Sequence, residues 1–125
     1  NRRLVKEYSR EWLKKFILPS DFLKTGYALY DFKNYEEALL VFRMLYEVAL
    51  EREDKIYSVV ALIWQGHMLD LLGRRDEAIA VYKRVVDMKV NRRFQHSQYG
   101  MTYIPSEYAA KRMKEPFQRI ENRTK

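Results

Sequence analysis

A chain of 125 residues with 47% hydrophobic and 14% aromatic side chains has the apolar surface for one packed domain, which excludes disorder along its whole length. It contains no cysteine, which excludes a disulfide framework and a thiolate metal site, and its longest apolar run, around Val59 to Trp64, is far too short to span a bilayer. The net charge of +7 is unevenly placed: residues 1–20 carry six Lys/Arg against two Asp/Glu, residues 91–125 eight against three, and residues 21–54 four against eight. Solvated helix faces account for such a pattern. An electropositive end that meets an acidic protein, a nucleic acid or a membrane surface is the functional alternative. The chain opens on Asn1 rather than Met, as expected of a processed protein or a piece of a longer one.

In chain order, Arg3 to Ile17 reads as an amphipathic helix with Leu4, Tyr8, Trp12 and Phe16 among its apolar positions. It makes residues 1–18 an N-terminal flanking helix. Ser20, after Pro19, is the expected N-cap of the next helix, which carries Phe22, Leu23, Gly26, Tyr27 and Tyr30. Lys33-Asn34 makes a turn. A partner helix follows from Tyr35 to Glu51, with Ala38, Leu39, Phe42 and Leu45 on a helical period. Asp54, at the end of the polar cluster Glu51–Asp54, is placed to cap a third helix that runs from Lys55 to Leu72. Gly73 ends that helix in the left-handed region, and a fourth runs from Arg75 to Lys89. Residues 91–105 have neither a clean helical nor a clean strand period, yet contain Phe94, Tyr99, Met101, Tyr103 and Ile104. A stretch so apolar is expected to fold back over the helices, as an ordinary crossover or as a lid or self-ligand in a groove. Ser106 is the expected cap of a C-terminal helix with Ala109, Ala110 and Met113 inward. Pro116 breaks or restarts it, and Phe117 and Ile120 continue the apolar face, so that residues 106–125 form C-terminal capping helices.

The chain repeats itself. "NYEEALLVFRMLY" from Asn34 and "RRDEAIAVYKRVV" from Arg74 share their pattern at an offset of 40 residues, and Gly26/Gly66, Leu29/Leu69, Ala38/Ala78 and Phe42/Tyr82 keep the same offset. Self-similarity at this period marks stacked supersecondary units. Glycine inside a helix costs about 1 kcal/mol relative to alanine. Close approach of a neighbouring helix, with Ala38 and Ala78 facing the glycines and Phe42 and Tyr82 filling the wider space one turn on, is the expected compensation. On these residues the sequence resembles the tetratricopeptide repeat family: Gly26, Leu29, Tyr35, Ala38 and Phe42 match in residues 20–51, and Leu62, Gly66, Leu69, Gly73, Ala78 and Tyr82 in residues 55–90. The family's repeat is about 34 residues. Here six more lengthen the helices or the loop around Glu51–Asp54, Arg75 stands where Tyr35 opens the second helix of the first unit, and the closing proline is missing. The resemblance implies one all-α domain over residues 1–125, with antiparallel helix pairs stacked as a short right-handed solenoid and flanking helices capping both ends.

Residues for chemistry are few. His67 and Asp70 lie three apart on one helix with no obvious third group, and His96 has no carboxylate near it in sequence. Glu36-Glu37 and Asp76-Glu77 stand at helix N-termini, where the dipole favours them without an acid–base role. No cofactor, no metal and no enzymatic activity are expected. The resemblance instead implies a concave face lined by the first helix of each pair, with Leu23, Tyr27, Tyr30 and Asp31 from the first unit and Ile63, His67 and Asp70 from the second. Alternatively, the flanking helices cover this face and make it core. Tyr27 and His67 follow the two glycines where the family's carboxylate clamp has Asn, so that clamp is not expected. The expected function is a non-enzymatic protein-interaction module or scaffold that takes a peptide or helix in its groove or self-associates as a homodimer. The rival is polyanion or nucleic-acid binding through Arg2, Arg3, Arg92, Arg93, Lys111, Arg112 and Lys114; no membrane role is expected.

Overall fold

The computed structural model describes residues 17–96 and 101–120, which excludes the expected N-terminal helix and Arg2 and Arg3. It is an all-α, solenoid-like stack. The helices are α1 (Pro19–Asp31), α2 (Tyr35–Glu51), α3 (Lys55–Leu71), α4 (Arg75–Met88) and α5 (Pro105–Lys114), with a small antiparallel hairpin of β1 (Phe94–His96) and β2 (Met101–Tyr103) between α4 and α5. Each of α1 to α4 packs antiparallel against the next, α5 packs along α4, and α1 and α5 both also touch α3.

The three turns that join α1 to α4 are one structure written three times. Lys33, Glu53 and Gly73 each sit at positive φ (64°, 55° and 76°). In each, the following amide reaches back five residues, Asn34 to the Leu29 carbonyl, Asp54 to Ala49 and Arg74 to Leu69, all at 2.8 Å. This is the Schellman closure, which satisfies the last carbonyls of a helix within a three-residue turn. With turns this short, most of the chain from Pro19 to Met88 lies in the helices, and α2 and α3 each have 17 residues.

Helix starts follow the sequence in part. Asp54 caps α3, its Oδ1 accepting from the Tyr57 amide at 2.9 Å. Ser20 does not cap α1, which begins at Pro19 with Leu18 outside it. Proline is suited to the first helical position, because its φ is already helical and it has no amide to leave orphaned. The same holds at α5, where Pro105 displaces Ser106 from the cap and the Ser106 hydroxyl turns to the Asn91 side chain instead.

Helix α3 lies at the centre, buried from Ser58 to Leu69, as suits a helix with neighbours on several sides. The glycine code resolves into ring-on-backbone packing. A Cβ on Gly26 would lie 2.4 Å from the Phe42 ring, and one on Gly66 2.4 Å from the Tyr82 ring. The aromatic side chains of α2 and α4 thus occupy the space vacated by the glycine side chain. These rings are the nearest atoms to the glycine gaps, and Ala38 and Ala78, on the same helices, are fully buried.

Two expectations for the last third are corrected. Residues 91–105 do contain strand, and the three-residue strands are too short to show a period. Phe94 opposes Tyr103 in the hairpin, and both are buried. His96 pairs with Met101 in the same ladder. Among the described residues the C-terminal region contains one helix, where more than one is expected from the sequence. After Lys114 the chain runs extended from Glu115 (φ −133°, ψ 125°), as the residue before a proline prefers, and stays non-helical to Ile120.

Candidate functional site: the face of the first helices

The face expected to be concave divides into two halves. The half at the C-terminal ends of α1 and α3 is filled. Tyr30 and Trp64 meet edge to face at 5.1 Å, and Trp64 meets His67 the same way at 4.4 Å. On this aromatic floor lies the chain's own extended end. The Phe117 ring stacks on His67 at 3.7 Å with 11° between planes, and its edge meets Trp64 at 5.9 Å. Tyr108 from α5 closes the side, sharing a 2.6 Å hydrogen bond between its hydroxyl and His67 Nε2.

Polar contacts fix the extended segment at both edges. The Phe117 amide donates to Asp70 Oδ2 at 2.9 Å. The same carboxylate receives Arg75 Nη1 at 2.9 Å and the Tyr82 hydroxyl at 2.8 Å. At the other edge Arg119 donates to the carbonyls of Tyr30 (2.7 Å) and Asp31 (2.9 Å) and to the Tyr35 hydroxyl (3.2 Å). These carbonyls end α1, where the helix dipole favours a cation. The guanidinium also lies over the Tyr30 ring at 4.6 Å. The Ile120 amide donates to the Tyr30 hydroxyl at 2.7 Å. Arg75 performs the matching service for α5, its Nη2 reaching the carbonyls of Arg112 and Met113 at 2.7 and 2.9 Å.

Burial sets the phenol chemistry. It pushes the Tyr82 hydroxyl far above its ordinary value, with the neighbouring Asp70 carboxylate adding to the shift. Tyr108 is raised in the same way, and Arg112 partly offsets it. Tyr30 is raised by burial and eased back by the Ile120 amide it accepts. The phenols are therefore neutral hydrogen-bonding groups here.

Among the described residues, the other half of the face is open. Among the described residues, a cavity of about 410 Å³ lies between the N-terminal ends of α1 and α3 and the hairpin. Leu23, Tyr27, Tyr57 and Phe94 are in its wall, and Lys24, Arg92 and Arg93 bring cations to it. Tyr27 joins the halves, meeting the edge of Trp64 at 5.1 Å.

The seven residues expected on the face are thus unequal. Leu23 and Tyr27 line the cavity. Tyr30, His67 and the Asp70 carboxylate are buried under the C-terminal segment, and Asp31 contributes a backbone carbonyl. Ile63 is buried in the helix stack. Among the described residues, one half of the face is covered and the other borders the cavity. Among the described residues, the cover is the non-helical segment that follows α5, with Tyr108 of α5 at its side. His67 and Asp70 share a helix face and both meet Phe117, His67 through the ring and Asp70 through the amide.

The residues that sequence reasoning missed are Trp64, Tyr108, Phe117 and Arg119 as parts of one site. Pro116 was the available signal, since a proline after a helix followed by alternating Phe117, Arg119 inward and Gln118 outward fits an extended strand. Among the expected basic residues, Arg92, Arg93, Lys111 and Lys114 are exposed. Arg112 is half-buried, over the Tyr108 ring and paired with Glu115. Among the described residues no three His, Cys, Asp or Glu side chains converge, and no helix is long and apolar enough to cross a membrane. Comparison with protein-family models, with curated proteins and with solved structures finds no match to this chain.

Proposed function

We propose that this chain is a non-enzymatic protein-interaction module, built of tetratricopeptide-like helix pairs, that holds an extended peptide along the face of its first helices. The observation that carries this reading is the cavity bounded by Leu23, Tyr27, Tyr57 and Phe94, which continues the face beyond the C-terminal segment. Rigid aromatic walls give contact area at small entropic cost. The cations of Lys24, Arg92 and Arg93 favour acidic groups beside an inserted apolar side chain. The partner class is accordingly a peptide with an aromatic residue flanked by Asp or Glu.

The test is fluorescence anisotropy with labelled peptides of that pattern. Lys24→Glu combined with Arg93→Glu is expected to weaken binding at least tenfold while leaving the thermal unfolding midpoint unchanged, because both side chains are exposed. Equal binding by the variant overturns the reading. Tyr27→Ala and His67→Ala are unsuitable probes, since both side chains are buried and their loss would disturb the fold. The polyanion alternative draws on exposed Arg92, Arg93, Lys111 and Lys114. It predicts affinity for a single-stranded oligonucleotide that falls steeply with salt.

A further inference from the structure

Resting on that reading of the helical face, we propose that its closed half is a second peptide site, which the C-terminal segment occupies in cis and which takes in trans an extended partner segment of the pattern aromatic–x–Arg–aliphatic. The cis occupant displays the recognition chemistry. Five residues, Pro116 to Ile120, run without helix or strand structure across α1 and α3. Phe117 and Arg119 point in, and Pro116 and Gln118 are exposed. The receptor groups come from α1 to α3: the Tyr30, Trp64 and His67 rings, the Asp70 carboxylate, the Tyr35 hydroxyl and the α1 carbonyls.

Each subsite selects for a feature. The slot over His67 takes a flat ring stacked at 3.7 Å, which an aliphatic side chain cannot match. Asp70 accepts a main-chain amide, so it reads an extended backbone rather than a side chain. The paired carbonyls of Tyr30 and Asp31, with the Tyr30 ring beneath, take the two nitrogens of one guanidinium. The planar fork of arginine fits this and the point charge of lysine does not. The Tyr30 hydroxyl then accepts the amide three residues after Phe117, which fixes the direction of the chain. None of these contacts uses the covalent link at Glu115.

That link supplies only proximity. A short tether holds its ligand at an effective concentration on the order of mM. A partner segment must therefore compete with the chain's own end, and a chain whose end cannot occupy the site should bind it far more tightly. The extended junction after Lys114, between α5 and the site, is where release would occur. α5 can stay docked, since Arg75 holds its last carbonyls independently of Phe117.

The experiment uses the full chain with Phe117→Ala and Arg119→Ala, and a labelled synthetic peptide of residues 115–125. The variant is expected to bind the peptide at least tenfold more tightly than the wild-type chain does. Peptides carrying Ala at the ring position, or Lys at the arginine position, should lose that binding. A folded variant that fails to bind, or equal binding by variant and wild type, overturns the proposal. Should the variant not fold, hydrogen exchange on the wild-type chain decides. The Phe117 and Ile120 amides are expected to exchange much faster than those of α3 around Trp64, and exchange as slow as α3 overturns the proposal. A concentration-dependent wild-type dimer that dissolves in the variant would assign the site to a second copy and overturn the partner. The acid-flanked aromatic peptides are measured on the same variant: their binding with no binding of the 115–125 peptide sinks this proposal alone, and loss of both sinks the proposed function too.

Discussion

Gly66 and Gly26 look equivalent in sequence and are not equivalent in structure. In both, an added Cβ would sit 2.4 Å from an aromatic ring. The Tyr82 ring over Gly66 is anchored by its hydroxyl on Asp70, at 2.8 Å, while Phe42 has no such anchor. Alanine would gain about 1 kcal/mol of helix propensity and lose roughly 1–3 kcal/mol to overpacking. Gly66→Ala is therefore expected to destabilise by about 1–2 kcal/mol, and Gly26→Ala by less, because Phe42 can shift. Urea unfolding of the two variants checks the order. The 40-residue spacing of glycine and aromatic was legible because both lie on local helical periods. That the ring itself fills the glycine gap was not, since spacing alone does not say which side chain of the facing helix arrives there.

At the scale of the elements, the three Schellman turns carry the repeat, and only one uses glycine. Lys33 and Glu53 hold positive φ, which costs about 1–2 kcal/mol for a residue with a Cβ. Glycine would remove that cost but add about 0.5–1 kcal/mol of unfolded-state freedom. Lys33→Gly and Glu53→Gly are each expected to stabilise by about 0.5–1 kcal/mol. Gly73→Ala should destabilise by about 0.5–1 kcal/mol on the same reasoning, even though its Cβ would meet open space. Shifted denaturation midpoints at unchanged m-value would establish this. Gly73 announced its turn in the sequence. Lys33 and Glu53 did not announce their conformation, and only the recurrence of the turns at intervals of 20 residues makes them siblings. The helix starts at Pro19 and Pro105 went the same way: serine is a good cap in isolation, but a proline one residue earlier already fits the first helical position.

For the whole molecule, the phenols of Tyr30, Tyr82, Tyr103 and Tyr108, all raised by burial, bear on the response to alkali among the described residues. The hydroxyls of Tyr82 and Tyr108 are pushed far up by burial, and Tyr103 is pushed up to about 12. In the unfolded chain each ionises near its ordinary value of about 10. Below that pH both states hold the proton, and the stabilisation is fully present. Above it the unfolded state releases protons that the folded state keeps, so stability falls with rising pH, for Tyr103 between about 10 and 12. The slope is roughly 1.4 kcal/mol per pH unit for each phenol in its window. Thermal midpoints are expected to hold steady up to about pH 10 and drop steeply beyond it, and a flat profile to pH 12 would contradict the burial of these side chains.

The amino-acid sequence by itself determined the helix pairs, their antiparallel order, the turn at Gly73 and the cap at Asp54. These depend on periodicities and neighbours a few residues apart, which the chain states directly. Only the tertiary structure decided what covers the face of the first helices. The cover is made by Phe117 on His67 and Asp70 and by Arg119 on the end of α1, contacts that join residues 47 to 90 places apart. A five-residue segment without helix or strand carries no period of its own, and the groups that receive it belong to helices whose patterns are complete without it. Its place is set by a stacked ring, one buried carboxylate and the two carbonyls that end α1, which come together only once α1 and α3 are side by side.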